Sequence, residues 1–170
     1  SAKNAILKSR WPNKKRLDSE LIDQVKPIIE DVKKRGDSAI VDYAQKFDGV
    51  NLQKDKIRVE VEDVQKAYRK VSKEQVSAIK SLKRRVEAYQ KKLLKRLIFQ
   101  YKANGVTIQN RAAPIRRLGC YVPGGEAAYP SSLVMTIIPA KVAGVPEIVV
   151  CSPPRSGGDV NPLILLAADI

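Results

Sequence analysis

The sequence predicts an α/β fold, in which a mainly helical region (residues 1–100) precedes an incomplete αβα domain with a mostly parallel sheet (residues 101–170). Three features of the apolar residues support this prediction. Through residues 18–97 they recur every three or four positions, as they do on one face of a helix. In the next segment they alternate with polar residues, as in a strand. After residue 116, short apolar strands alternate with helical segments, which is typical of a parallel sheet covered on both faces.

Two short helices are predicted at the beginning of the helical region. From Leu21 onward the apolar residues have helical spacing, and Gly36 stands where a C-terminal cap belongs. Asp37 is positioned to cap a second helix, which ends before the turn signal Asp48-Gly49. The sequence therefore predicts a helical hairpin.

A short strand and a long helix are predicted next. Residues 57–61, IRVEV, alternate like a strand, and helical spacing returns after them. Ser72 and Gln75 have the spacing of a capping box and open the longest predicted helix. One apolar stripe of this helix is expected to pack inward, and its opposite face is basic. The stripe consists of Val76, Ile79, Leu82, Val86, Tyr89, Leu93 and Leu97.

The second region begins with a predicted hairpin turn at Asn104-Gly105. The elements predicted after it are a strand over 116–122, a helix over 131–143, a strand over 147–151 and a helix that Asn161-Pro162 opens. Ile170 lies inside that apolar helix, with no stop signal before it. This feature predicts that the chain is part of a longer protein.

The composition limits the possible chemistry. The chain has no histidine and only two cysteines, so it is not expected to bind a metal or to contain a catalytic residue. Cys120 and Cys151 lie in or beside apolar runs and are predicted to be buried thiols of a reducing compartment. Ser131 and Ser132 lack a nearby base, and we interpret them as helix caps. No apolar stretch is long enough to span a membrane, which favours a cytoplasmic protein.

The net charge of +14 lies mostly in residues 1–100. The basic helix 73–96 could contact the phosphates of a nucleic acid. The alternative is a solvated helical surface, which the scarcity of aromatic residues and the absence of a binding motif favour. The sequence therefore disfavours nucleic acid as a partner and leaves it as a second hypothesis.

A loop rich in glycine and proline follows the strand at 116–122. Its sequence, YVPGGEAAYPSS, has two glycines that permit close backbone approach and two tyrosines that offer flat surfaces. It and the loop after residue 151 both connect a strand to a helix, so both are expected at the edge of the sheet where ligands bind. The residues alone leave two interpretations open, which are a nucleotide-binding loop and a tight turn with packed tyrosines.

Two long segments resemble the histidinol dehydrogenase family. GCYVPGGEAAYPSSLVMTIIPAKVAGVPEIVVCSPP, residues 119–154, is similar to that family's glycine-proline segment. VKKRGDSAIVDYAQKFDGV, residues 32–50, is similar to its RGD and FDG segment. The two occur in the family's order, and the resemblance extends from about residue 20 to the end of the chain.

The resemblance implies an N-terminal part of an enzyme that oxidises L-histidinol to L-histidine in histidine biosynthesis. Such an enzyme uses NAD and zinc, works as a homodimer and has Rossmann-like domains. It also implies that Phe47, Tyr121, Pro123 and Pro153 lie against the dinucleotide. Flat and rigid apolar surfaces at these positions suit the rings of such a ligand.

The family's zinc ligands and its proton-transferring residues fall outside the matched region. They are expected in a C-terminal part that this sequence does not include, so these 170 residues alone are predicted to be inactive. The alternative is a truncated, non-catalytic protein that binds a nucleotide or, through helix 73–96, a nucleic acid.

Overall fold

The computed structural model describes residues 19–124 and 127–170, except for the side chains of residues 19 and 20. Apart from a strand predicted at residues 57–61, the helices and strands occur in the predicted order, which confirms the α/β fold. The helices are α1 (Ser19–Arg35), α2 (Asp37–Tyr43), α3 (Val61–Lys70), α4 (Lys73–Leu97), α5 (Pro130–Ala143) and α6 (Pro162–Asp169). The strands are β1 (Phe99–Ala103), β2 (Val106–Asn110), β3 (Arg117–Tyr121) and β4 (Glu147–Cys151).

The first two helices form the predicted hairpin. Gly36 separates α1 from α2 and has a φ of 58°, a conformation that glycine adopts without strain. Helix α2 begins at Asp37 itself, so the prediction that Asp37 precedes the helix as its cap was wrong. A π-helical turn, Ala44–Asp48, continues α2 and ends at Gly49.

The strand predicted at residues 57–61 is absent from this part of the structure. A short 3-10 turn, Lys54–Lys56, and an irregular stretch precede α3, which begins at Val61. Glu60 and Asp63 form a capping box at this point, and the Glu60 N–H donates to Asp63 Oδ2 at 3.3 Å. The prediction was wrong because this local cap favours a helix over an alternating segment that has no strand beside it.

The long helix α4 begins as predicted, but only half of its apolar stripe is covered. The Gln75 N–H donates to Ser72 Oγ at 3.2 Å, and the Ser72 N–H donates to Gln75 Oε1 at 2.9 Å. Ile79 is buried in the core with Val76, Leu82 and Val86 packed around it. The other half of the stripe is exposed, contrary to the prediction, because the described chain places no element over it. Its members are Tyr89, Leu93 and Leu97.

Strands β1 and β2 form the predicted antiparallel hairpin. Asn104 and Gly105 both have positive φ, 50° and 77°, as a tight two-residue turn requires. Tyr101 pairs with Ile108, and Ala103 with Val106, so one face of the hairpin is apolar. That face is exposed within the described residues.

Strands β3 and β4 pair in parallel, as predicted, and one of their faces contacts the core. The fully buried side chains Leu133, Ile164, Leu166 and Val122 come from α5, α6 and the segment after β3. Helix α4 packs along α5, so the helical region and the parallel pair share this core. The other face of the pair is exposed in the described chain, whereas the sequence predicted cover on both faces. The division of the chain at residue 100 stays a prediction.

A polar contact joins α3 to the end of α6. The Tyr68 hydroxyl donates to Asp169 Oδ2 at 2.7 Å. This hydrogen bond, reinforced by partial burial, raises the pKa of Tyr68 to about 12.

None of the helices in the described ranges is long and apolar enough to cross a membrane.

Leu133→Ala should lower the free energy of unfolding by about 2–5 kcal/mol, because it removes a fully buried side chain and leaves a cavity. Met135→Ala on the same helix is the matched control, since Met135 is 53% exposed. Its effect should stay within about 0.5 kcal/mol. Urea unfolding of the two variants and the parent chain measures both values, and equal losses would contradict the position of the core.

Tyr68 should ionise at about pH 12, above the ordinary value of 10.0. Because the neutral hydroxyl is the donor, the contact stabilises the fold below pH 10 and is lost as the pH rises from 10 to about 12. Phenolate absorbance in a pH titration measures this shift, and the Tyr68→Phe variant assigns the transition. Asp169→Ala should return the pKa of Tyr68 toward 10, because it removes the acceptor of the hydrogen bond. If the pKa of Tyr68 stayed at its raised value in this variant, Asp169 would not be the cause of the shift.

Candidate functional site

The candidate site lies at the edge of the parallel pair where both strands end. Tyr121, the last residue of β3, is the register partner of Cys151, the last residue of β4. The Val122 N–H donates to the Cys151 carbonyl at 2.9 Å, which continues the pairing by one residue. The loops that follow both strands therefore begin side by side. This edge is where open α/β sheets bind ligands.

Three of the four predicted cofactor-binding residues belong to these two loops or to the strand end. Tyr121 is 69% exposed, Pro123 is exposed and Pro153 is half-buried. The flat surface of Tyr121 is accessible because β3 alternates, with Cys120 facing the core and Tyr121 facing away from it. Their assignment as cofactor contacts stays a prediction.

The fourth predicted residue, Phe47, lies in an apolar cleft that reaches the end of β4. The cleft has a volume of about 690 Å³, and Phe47 shares it with Cys151, Ser152 and Pro154. The helical hairpin and the loop after β4 therefore meet here, although more than 100 positions separate Phe47 from Cys151 in the sequence. Tyr121, Pro123 and Pro153 do not line the cleft.

A polar network in the helical hairpin supports the position of Phe47. Arg35 pairs with Asp31 of α1 at 2.5 Å and with Asp42 of α2 at 2.6 Å. The Tyr43 ring, which follows Asp42, stacks on the Phe47 ring with a centroid distance of 5.6 Å and an angle of 8°. The ion pairs join α2 to α1 at the surface, and the stacked rings of Tyr43 and Phe47 lie between α2 and the cleft.

The electrostatics of this network keep Asp31 and Arg35 charged and Tyr43 neutral. The guanidinium of Arg35 lowers the pKa of Asp31 to about 2 by hydrogen bonding to its carboxylate. Hydrogen bonds to the two carboxylates, first that of Asp31, raise the pKa of Arg35 above its ordinary value. Burial raises the pKa of the Tyr43 hydroxyl, and Asp31 adds to this effect. Asp31 and Arg35 are therefore ionised at neutral pH, whereas the Tyr43 hydroxyl keeps its proton.

Ser152 and Gly124 meet where the two loops approach each other. The Ser152 Oγ atom is buried and has no hydrogen-bond partner among the described residues. Gly124 is also buried, and a Cβ atom at this position would overlap Ser152 Oγ. Ser152 is also one of the residues that line the apolar cleft, but its hydroxyl is buried against Gly124 and is not exposed to that space. The sequence analysis missed Ser152, because a serine before two prolines carries no signal for burial.

These features describe an open apolar cleft beside the loops and not only a packed turn. The cleft offers an aromatic ring and apolar walls to a flat group. Gly124 lies outside the cleft and lets the two loops come into close contact. The tyrosines of the loop, Tyr121 and Tyr129, are 69% and 48% exposed, so they are not the packed residues of a tight turn.

Other candidate groups have a structural role or an exposed position. Cys120 is buried as predicted, and burial raises the pKa of its thiol. Cys151 is exposed, so the prediction of burial was wrong for it. Its side chain points outward from β4, as that of Tyr121 does from β3.

Helix α5 begins at Pro130, so Ser131 and Ser132 lie in its first turn and are not the predicted caps.

The described residues do not fit a zinc ion. They contain no group of three or more histidine, cysteine, aspartate or glutamate side chains that could hold a metal. Most of the basic face of α4 is exposed, and it carries a Lys91–Glu87 ion pair of 2.5 Å. Lys83 is the half-buried exception and donates to the Ile170 carbonyl. No described feature of this face favours nucleic acid over solvent.

The chain is similar to known histidinol dehydrogenases. The family model described as histidinol dehydrogenase matches residues 12–170. The histidinol dehydrogenase of Clostridium acetobutylicum is 43% identical over 153 residues, which cover 90% of this chain and 35% of that protein. The Methanopyrus kandleri protein of the same name is 41% identical over 155 residues, with coverage of 89% and 36%.

A solved structure shows the same fold. The crystal structure of histidinol dehydrogenase from Elizabethkingia anophelis matches with a TM-score of 0.78 and 33% identity, over 88% of this chain and 34% of that chain. This chain therefore spans about a third of the length of the relatives that it matches.

Gly124→Ala should destabilise the chain by about 1–3 kcal/mol, because its methyl group would overlap Ser152 Oγ in a buried position. Gly119→Ala is the matched control, since a Cβ atom there meets nothing within 4 Å. The double variant Gly124→Ala/Ser152→Ala should recover most of the loss. Urea unfolding measures all three, and a Gly124→Ala variant as stable as Gly119→Ala would refute the close approach of the two loops.

Proposed function

Because the chain belongs to the histidinol dehydrogenase family, we propose that it provides the dinucleotide-binding surface of an enzyme that oxidises L-histidinol to L-histidine. In this proposal NAD is the electron acceptor, zinc is the metal and the chain is the N-terminal part of the enzyme. The family membership supports the reaction. The surface itself is supported by the geometry of the candidate site.

The assignment of the surface rests on one observation. Phe47 and the end of β4 line the same apolar cleft. Phe47 and the residues after β4 come from the two sequence segments that resemble the family. The structure brings these segments together at the sheet edge that open α/β folds use for ligands.

The residues of this chain would bind and orient the dinucleotide. Phe47 offers a ring face inside the cleft, and the exposed Tyr121 offers another at the end of β3. Gly124 would act indirectly, because its lack of a side chain lets the two loops of the site lie close together. Bound NAD would supply the hydride acceptor of the reaction. The apolar walls of the cleft would exclude water from the ring beside Phe47.

Zinc would be held by residues outside the described part of the chain. The described carboxylates and thiols form no metal-binding group, and the sequence has no histidine. We therefore assign no step of the reaction to a metal in this chain. The role proposed for these residues is restricted to the dinucleotide.

A homodimer is the proposed assembly of the enzyme. Two apolar surfaces are exposed in the described chain. One is the outer face of α1, and the other is the apolar face of the β1–β2 hairpin. Leu21 and Ile22 of α1 are 59% and 51% exposed, and Tyr101 and Val106 of the hairpin are 57% and 60% exposed. Contiguous apolar surface of this kind is typical of protein interfaces.

Tyr121→Ala should weaken NAD binding by roughly threefold to tenfold in the enzyme that contains this chain, because it removes an aromatic face from the site. Tyr89→Ala is the matched control, since Tyr89 is 64% exposed and Tyr121 is 69% exposed. Tyr89 lies on α4, and its replacement should leave the affinity unchanged. Equilibrium titration of NAD by fluorescence measures both dissociation constants, and equal effects would remove Tyr121 from the site.

A further inference from the structure

We infer that a second cavity, beside the apolar cleft, binds the phosphate groups of the dinucleotide. Its volume is about 430 Å³, and its walls include Lys56, Lys66 and Lys70. We call it the lysine cavity. The inference rests on the proposed function, because it assigns the charged part of the ligand whose rings occupy the apolar cleft.

The lysine cavity is continuous with the apolar cleft. Leu52, Val59, Val160 and Leu165 line both spaces. The loop after β4 forms another part of the wall through Gly157 and Gly158. The cavity therefore lies at the same sheet edge as the candidate site, within reach of a ligand that extends from the cleft.

The positive charge of the cavity comes from two adjacent elements. Lys66 and Lys70 are four residues apart in α3, so they lie on the same face of that helix. Lys56 comes from the 3-10 turn that precedes α3. Two carboxylates also line the cavity, those of Asp63 and Asp159. Asp63 accepts from the Glu60 N–H and from Lys66, at 3.3 Å and 3.5 Å, so Asp63 and Lys66 partly offset each other. The lysines outnumber the carboxylates, so the cavity keeps a net positive charge.

The chemistry of a dinucleotide matches this pair of spaces. Its rings are flat and its pyrophosphate is anionic, so it needs an apolar space and a cationic space in contact with each other. The apolar cleft provides the first, with Phe47 in its wall. The lysine cavity provides the second, since ammonium groups bind phosphate through charge-assisted hydrogen bonds. The glycines of the wall leave room for the phosphate oxygens to approach the backbone.

The test is calorimetric titration of the 170-residue chain with inorganic pyrophosphate, ADP and adenosine. The variant Lys66→Gln/Lys70→Gln removes two charges from the lysine cavity. The control Lys73→Gln/Lys80→Gln removes the same charge from exposed positions on α4. The cavity variant should bind pyrophosphate and ADP roughly tenfold more weakly, because two charge-assisted contacts are lost. Its affinity for adenosine should not change, and the control should match the parent chain for all three ligands.

Two outcomes would overturn the inference. One is a parent chain that does not bind pyrophosphate at millimolar concentration. The other is an equal loss of affinity in the two lysine variants, which would mean that only the overall charge matters.

Phe47→Ala separates this inference from the proposed function. The variant should weaken the binding of adenosine and ADP and leave pyrophosphate binding unchanged. If Phe47→Ala leaves adenosine binding unchanged while the lysine variant weakens pyrophosphate binding, the cleft is not a ring site, and the assignment of the lysine cavity to a dinucleotide fails with it.

Discussion

Parallel pairing between β3 and β4 determines where both loops of the candidate site begin. The register places Tyr121 beside Cys151, and the Arg117–Glu147 ion pair of 2.6 Å joins the opposite ends of the same strands. Because the strands end together, the glycine-rich loop and the loop after β4 leave the sheet as neighbours. A shift of this register by one residue would turn Tyr121 toward the core and Cys120 outward. The surface that we assign to the dinucleotide therefore depends on this one pairing.

The core stabilises this pairing from one side only. Val122 and the buried residues of α5 and α6 cover the inner face of β3 and β4, and α4 packs on α5 behind them. In the described chain the outer face carries exposed residues, among them Tyr121 and Val149. This asymmetry has a physical consequence. The face that contacts the core fixes the strands, and the outer face presents an aromatic and an aliphatic surface that further protein or ligand can cover.

Local signals in the sequence predicted most elements of the fold. The capping box at Ser72, the turn at Asn104-Gly105 and the cap at Asn161 each act within a few residues, so their effect could be read directly. The prediction of a strand at residues 57–61 was wrong, and the cause is again a local signal. The Glu60 capping box begins a helix here, and the alternating pattern concealed it. The exposed end of the α4 stripe could not be predicted, since periodicity shows which residues share a face and not what covers that face.

The candidate site was predictable only in part. The glycines and tyrosines of the loop indicated a ligand at the sheet edge, and the family resemblance indicated four residues. The apolar cleft depends on contacts between residues far apart in the sequence, so neither Ser152 nor the lysine cavity could be found by pattern. The position of Phe47 illustrates this limit, because no local pattern shows that the helical hairpin meets the loop after β4.

The close approach of Gly124 and Ser152 determines how the two loops of the candidate site meet. A Cβ atom at position 124 would overlap Ser152 Oγ, so glycine lets the loop after β3 lie this close to the loop after β4. Within the described residues the buried Ser152 hydroxyl has no hydrogen-bond partner, which costs about 1–3 kcal/mol of stability. An apolar residue at position 152 would remove that cost. This contact therefore brings the two loops together while it lowers the stability of the described chain.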